Sequence, residues 1–310
     1  AFSFLRDSEM REDVQGRIGG IDQIGLIAAL SAFTIWGLGP LYWALLAGVP
    51  AVDVLAHRAI WSAVLIGGFC VISGRGAKVR AALANRRVLA GLGASGLFIA
   101  FNWGLFIWAI QNGFALEASL GYYVYPLVAV ALGRIALAEA LSSRKQVAVA
   151  LAGLSVVLLT AGLGAAPWIA IALALSFGCY GLIRKVLDVG PITGVFIESA
   201  LLIPLAFVWL WAHPMTLRSE VPVETVALLV IGGLYTAAPL MLFSEAAKRM
   251  PLSTLGVLQY LNPTLQFACA VFVFGEAFTV WHAAAFCGIW CALALYSTDL
   301  ARQSKPTGAK

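Results

Sequence analysis

Residues 125–139 read YPLVAVALGRIALAE, and residues 262–276 read NPTLQFACAVFVFGE. In each stretch a proline opens an apolar run that one carboxylate closes thirteen positions later: Pro126 to Glu139, then Pro263 to Glu276. A hydroxyl-Leu-Gly triplet precedes each proline, Ser119-Leu120-Gly121 and Thr254-Leu255-Gly256. The triplets lie 135 positions apart and the Pro/Glu pairs 137 apart. A repeat of nearly half the chain, inside apolar sequence, predicts a duplicated membrane protein.

Composition agrees. Hydrophobic residues make up 61% of the chain and charged residues 11%, with a mean hydropathy of +0.92. A soluble domain carries about 25% charged residues, so lipid must be the main solvent here. The net charge of +5 fits basic cytoplasmic loops rather than nucleic-acid binding. Cys70, Cys179, Cys269, Cys287 and Cys291 all fall in apolar segments without CxxC or Cys/His spacing, so neither a metal site nor a disulfide framework is expected. Residues 1–21, polar and mixed in charge, are expected to form a cytoplasmic tail rather than a signal peptide.

A spanning helix needs about 20 mostly apolar residues. Runs that meet this begin near Ile24, Val52, Val88, Glu117, Gln146, Trp168, Ile192, Thr225, Ser253 and Val280, which predicts ten spans. With a cytoplasmic N-terminus, the inner loops carry Arg75, Lys78, Arg80, Arg86, Arg87, Arg144, Lys145, Arg184, Lys185, Lys248 and Arg249, whereas the outer loops carry only Arg218. Eleven basic residues against one is a strong positive-inside bias. The predicted class is therefore an all-α polytopic membrane protein with both termini cytoplasmic. Its two five-helix repeats cover residues 22–163 and 164–298, and residues 299–310 form an inner tail. An odd number of helices per repeat inverts the second copy, which is the basis of alternating access in many carriers.

Candidate site residues follow from the high cost of polar groups in hydrocarbon, roughly 2.5–3.5 kcal/mol for a charge at mid-bilayer. Span 2 carries Asp53, His57 and Arg58, and Glu198 occupies the matching place in span 7. Arg58 is suited to a substrate carboxylate, and Glu198 to an ammonium or to compensating Arg58. Asn102 and Gln259 are mid-helix amides that lipid cannot satisfy. Trp36, Trp103, Tyr123, Tyr180 and Tyr260 complete a candidate substrate cavity. Gly121 with Pro126, and Gly256 with Pro263, are candidate hinges. Glu139 and Glu276 mark opposite rims as gate residues or as structural pairs.

These features together resemble the drug/metabolite transporter superfamily, specifically the ten-helix EamA/RarD-type permeases, of which the amino-acid exporter YddG is a relative. The carriers of the resemblance are ALSAFTIWGLGPLYW (29–43), VDVLAHRAIWS (52–62), NWGLFIWAIQN (102–112), LEASLGYYVYPLV (116–128), ALSFGCYGLIRK (174–185) and STLGVLQYLNPTLQF (253–267). The resemblance implies an inner-membrane exporter with a central cavity lined by the helices other than 5 and 10. Amino acids and related amphipathic solutes are the expected substrates. Export of drugs or hydrophobic cations is the alternative, and a receptor or scaffold the remote one. HExxH, GxGD, GxSxG and P-loop patterns are missing from the sequence, so no enzyme activity, catalytic residue or cofactor is expected. The expected partners are a small-molecule substrate and the bilayer, with a monomer favoured.

Overall fold

The computed structural model describes residues 17–18, 21–137, 142–163, 167–213, 222–250, 255 and 258–303. Apart from a small antiparallel bridge between β1 (Arg17–Ile18) and β2 (Ile21–Asp22), it is helical. Among the described residues, seven helical rods are long and apolar enough to cross a bilayer. They lie at Gln23–Ala44, Ala51–Ile72, Arg86–Gln111, Ala115–Ala136, Trp168–Val186, Pro191–Ala212 and Val223–Phe243. Three shorter apolar helices occupy the remaining runs, at Gln146–Gly162, Leu261–Val273 and Val280–Tyr296. Large apolar side chains such as Ile27, Val71, Leu97, Val157, Phe207, Trp211 and Phe272 point outward. A helix satisfies its own backbone and so tolerates such a lipid-facing surface.

The first rod is broken. Helix α1 (Gln23–Gly37) stops at Leu38, and α2 (Gly39–Ala44) restarts with Pro40 in its first turn. The Gly-Leu-Gly-Pro run at 37–40 supplies both the flexibility and the missing donor that end the helix. Asp22 caps the start of α1, its Oδ1 accepting from the Gly25 N–H at 2.6 Å. Helix α3 (Ala51–Ile72) leads to a short helix α4 (Gly76–Ala84), which carries Lys78 and Arg80 and interrupts what reads in sequence as a plain loop. Helix α5 (Arg86–Gln111) is capped by Asn85, whose Oδ1 accepts from the Arg87 and Val88 N–H groups.

Helices α6 (Ala115–Leu137), α7 (Ser143–Leu163), α8 (Trp168–Val186), α9 (Pro191–Ala212) and α10 (Val223–Arg249) follow. Gly113, at φ +76°, allows the tight reversal between α5 and α6. The ninth run differs from expectation. A turn at Gln259–Tyr260 precedes α11 (Leu261–Ala268), a π-helical segment at Cys269–Val273 follows it, and α12 (Val280–Gln303) completes the chain. Pro126 sits inside α6, as expected. Pro263 does not interrupt a helix: it lies in the first turn of α11, where its missing N–H leaves no helical bond unmade.

Packing is selective. Helix α3 lies against α9 and α10, α10 also against α1, α8 against α5 and α6, α7 against α12, and α11 against α1 and α6. Small residues set the closest crossings. A Cβ on Gly121 would fall 2.9 Å from the Ala170 carbonyl oxygen, so α6 and α8 meet there only because position 121 is glycine. Gly233 likewise admits Trp61, bringing α10 onto α3.

Candidate substrate site

Two polar clusters line α5, one at the level of Trp103 and the other at Ser95. Eight residues separate these levels, which is about 12 Å along a helix at 1.5 Å per residue.

The first cluster surrounds Arg58, which is only 6% exposed. Its Nε donates to Thr236 Oγ1 at 2.8 Å. The guanidinium carbon lies 4.0 Å from the centroid of Trp103 and 5.0 Å from that of Trp43, a geometry in which indole rings stabilise a cation. Tyr42 and Tyr235 stack on each other at 4.9 Å, and Trp43 packs edge-on to both. The two tyrosine hydroxyls are turned away into backbone bonds, Tyr42 donating to the Leu228 carbonyl and Tyr235 to that of Ile35. Among the described residues no carboxylate pairs with Arg58. Its terminal amino groups find no acceptor there either, so the side of the fork that binds carboxylates bidentately is unused.

The second cluster surrounds Glu198, 2% exposed on α9. Ser95 donates to its Oε1 at 2.5 Å, and Arg184 Nη1 stands 3.7 Å from the same oxygen. The Tyr180 side chain also lies beside this carboxylate. Arg184 reaches it across Gly194, where a Cβ would collide with the guanidinium. Its Nη2 donates to the Val189 and Gly190 carbonyls. Glu198 Oε2 has no hydrogen-bond partner.

Asn102 lies between the two levels and is fully buried. Its Nδ2 donates to the Leu173 carbonyl and to Ser176 Oγ, both at 2.9 Å, and its Oδ1 accepts from the Tyr122 hydroxyl at 2.9 Å. The amide thus staples α5, α6 and α8 together. At one end of the molecule Trp209 Nε1 donates to Asp53 Oδ1 at 2.7 Å, joining the start of α3 to the end of α9. At the rim Glu276 accepts from the Ala115 and Leu116 N–H groups at 2.6 and 2.7 Å, so it caps α6. Burial pushes the Glu276 carboxyl above its ordinary range, while these two donors pull it back.

A family model for EamA-like transporters matches residues 23–161 and 165–298. This chain belongs to the EamA-like transporter family. Within it, the chain is 44% identical to an uncharacterized transporter of Pseudomonas aeruginosa, covering 89% of this chain and 93% of that one. It is 39% identical to protein RarD of Escherichia coli K12, over 89% of this chain and 94% of that one. A chloramphenicol-sensitive protein RarD of P. aeruginosa is 31% identical, over 90% and 95%. A solved crystal structure that is 21% identical superposes with a TM-score of 0.59 over 90% of this chain and 98% of that one, a likeness of fold alone. The EamA chain is accordingly a RarD-type permease of the drug/metabolite transporter superfamily, a multi-pass inner-membrane transporter of small molecules and not an enzyme.

The expected site residues of this EamA permease divide between several places. Arg58 and Trp103 come together. Tyr180 joins Glu198, a level away. The α-ammonium and carboxylate of an amino acid are one carbon apart, so a single α-amino acid does not bridge Arg58 and Glu198 in this arrangement. His57, half-buried beside Asp53, has no partner for its Nε2. Trp36 packs with Phe33 and Phe243. Tyr123 bonds Thr264 and packs against Phe286 and Trp290, away from both clusters. Gln259 and Tyr260 form the turn before α11. Gly121 is buried in the α6–α8 crossing, and Gly256 and Glu139 lie outside the described residues. Sequence reading missed Trp43, Thr236 and Ser95. It also counted Arg184 among loop charges, although its long stem folds back into the fold.

Proposed function

We propose that this permease exports amino acids and related small carboxylate-bearing metabolites by alternating access between two inverted five-helix halves, with both termini cytoplasmic. The observation that carries the substrate reading is the buried, carboxylate-free Arg58 between two indoles, with its terminal amino groups available. A bidentate carboxylate satisfies that charge, and the aromatic walls suit an apolar side chain.

The inverted halves, residues 22–163 and 164–298, are supported by the packing. Numbering the ten rods in order, a shift of five converts each major pair into another observed pair. Rods 2 and 7 (α3–α9), 5 and 10 (α7–α12) and 4 and 9 (α6–α11) map onto themselves. The α5–α8 pair maps onto α10–α1, α6–α8 onto α11–α1, and α10–α3 onto α5–α9. The charge bias of the loops supports the orientation.

Counterflow of labelled amino acids into proteoliposomes tests the reading, with the wild type expected to exchange at least one neutral or aromatic amino acid. No exchange across neutral, basic and aromatic amino acids would sink it. Export of drugs or hydrophobic cations is a second reading, favoured by the buried Glu198 carboxylate. It requires altered drug tolerance of expressing cells with unaltered amino-acid tolerance.

A further inference from the structure

Helices α10 and α3 close on each other along Trp61, Arg58 and Ile66. Their counterparts, α5 and α9, stand further apart and leave a cleft of about 500 Å³ between them. Its apolar walls are Leu89, Gly93 and Leu97 from α5, and Leu201, Leu202 and Leu205 from α9. Leu97, Leu201 and Leu205 are also exposed on the outer surface, so the cleft opens sideways toward lipid. Arg86, the first residue of α5, stands at its mouth. Glu198 borders the cleft too, but its carboxylate is buried and engaged within the fold by Ser95 and Arg184. What the cleft offers a ligand is an apolar slot with a cation at one end.

The mouth is basic well beyond Arg86. Helix α4 packs against both walls, its Ala82 sharing a buried cluster with Leu92 of α5 and Ile197 of α9. It brings Lys78 and Arg80 to the same end as Arg86 and Arg87, and all four are exposed. Among the described residues none of the four forms an ion pair, and Asp188, the exposed acid of the α8–α9 loop, pairs with none of them. Asn85 already occupies the Arg87 and Val88 N–H groups, so the attraction to an anion comes from the side chains. The end of α3 and α4 itself also expose Val71, Ile72 and Leu83. Apolar and basic side chains mixed in this way suit the headgroup level of a bilayer. Length fits as well. Arg86 and Leu97 are 11 residues apart, about 16 Å of helix, close to the ~15 Å from headgroup level to midplane when the hydrocarbon is about 30 Å thick. One acyl chain rooted at the interface runs the length of the cleft.

We infer that the α5–α9 cleft binds an anionic glycerophospholipid of the phosphatidylglycerol type, with one acyl chain along Leu89, Leu97 and Leu205 and the phosphodiester on Arg86. The second chain stays in the bilayer, outside the sideways opening. A phospholipid with a choline or ethanolamine headgroup carries its own cation into a basic mouth and loses the electrostatic advantage. A free fatty acid sets one carboxylate against four cations and has no second chain to hold it at the opening. The site is separate from the Arg58 cluster. It rests neither on amino-acid export nor on the proposed orientation of the chain.

The test is photolabelling of the full chain in phosphatidylcholine nanodiscs that carry a trace of phosphatidylglycerol with a diazirine in one acyl chain, alongside the matched phosphatidylcholine probe. The phosphatidylglycerol probe is expected to label residues 89–97 and 201–205 at least about fivefold more than the other, and unlabelled phosphatidylglycerol should compete. Arg86→Gln should reduce this labelling about fivefold, the effect expected of one basic residue at an anionic headgroup. Arg249→Gln removes the same charge at the end of α10, where Arg249 pairs with Glu245, and should change nothing. A Cβ at Gly93 meets nothing within 4 Å, so Gly93→Leu fills the slot without displacing a neighbour and should abolish labelling of 201–205. Equal labelling by the two probes would mean ordinary boundary lipid and would overturn the proposal. Labelling that survives either Arg86→Gln or Gly93→Leu would overturn it as well. An equal loss in Arg249→Gln would mean diffuse surface charge only, and stronger competition by oleate than by phosphatidylglycerol would give the slot to a fatty acid; either result sinks the assignment. Both leaflets of the nanodisc hold the probe and no transport is read. A wild type that exchanges no amino acids, or that lies the other way round, therefore leaves this expectation unchanged, and the failures are distinguishable.

Discussion

Replacing Glu276 by glutamine should loosen the start of α6 by an amount that the geometry fixes. The wild-type carboxylate receives two N–H groups, from Ala115 at 2.6 Å and Leu116 at 2.7 Å. Each charge-assisted bond contributes about 1.5–3 kcal/mol net, and a negative charge at a helix N-terminus adds about 0.3–1 kcal/mol. Glutamine keeps one acceptor, loses the charge, and turns an NH₂ toward the remaining N–H. The expected local cost is therefore about 2–3 kcal/mol. At 1.4 kcal/mol per tenfold, amide exchange at 115 and 116 should accelerate roughly 30- to 150-fold. Hydrogen–deuterium exchange of a peptide covering residues 111–120 reads this directly, with a peptide from the middle of α3 as the unchanged control. Exchange at 115–116 that equals the wild type would refute the reasoning, because the cap would then contribute nothing. Acceleration across the whole chain would refute it too, by showing global rather than local loosening.

Three further outcomes follow from the described contacts. Arg58→Lys keeps the charge but loses the planar fork, so the apparent affinity for a carboxylate substrate should fall about tenfold in a counterflow titration, and Arg58→Ala should fall further. Asn102→Leu leaves the Tyr122 hydroxyl without its acceptor and takes a donor from Ser176 Oγ and the Leu173 carbonyl, and should cost about 1–2 kcal/mol, read as a lower thermal midpoint of the detergent-purified protein. Gly121→Val pushes side-chain atoms into the Ala170 carbonyl; it should destabilise by about 1–3 kcal/mol, whereas Gly93→Val, which faces open space, should leave the midpoint unchanged.

The rods of this permease were legible because hydropathy and length act on the chain locally. The apolar runs starting at Ile24, Val52, Val88, Glu117, Trp168, Ile192 and Thr225 correspond to the seven long apolar helices. Breaks were harder to read. Gly37 to Pro40 was visible as a motif, but only the structure shows that it ends one helix and starts another. The division of the ninth run at Gln259–Tyr260 has no such signature, and it moves Pro263 from a helix interior to a first turn. Site composition was less legible still, because it depends on which faces meet. Arg58 and Glu198 stood out as charges in apolar sequence, yet nothing in their spacing shows that they occupy different levels of α5. Asn102 stood out as a mid-helix amide expected at the cavity, but its donors and acceptor are spent within the fold. Tyr42, Trp43 and Tyr235 look like interfacial aromatics until α10 brings Tyr235 and Thr236 against α2 and α3.

The unpaired charge of Arg58 also has an electrical consequence. In the second cluster, Glu198 and Arg184 offset each other, whereas among the described residues no carboxylate pairs with the buried cation of the Arg58 box. A net-anionic carboxylate seated on Arg58 cancels it, and that loaded box crosses the membrane field as a neutral body, whereas a zwitterionic amino acid brings its own ammonium and leaves the box a cation. The unloaded box crosses as a cation. A membrane potential acts on such a charge with about 2.3 kcal/mol per 100 mV over the full field. An inside-negative potential therefore draws the empty box back toward the cytoplasm, where an exporter must reload. For an anionic carboxylate the voltage would drive the return stroke of the cycle and leave the export stroke untouched; for a zwitterion it would favour the return stroke and oppose export.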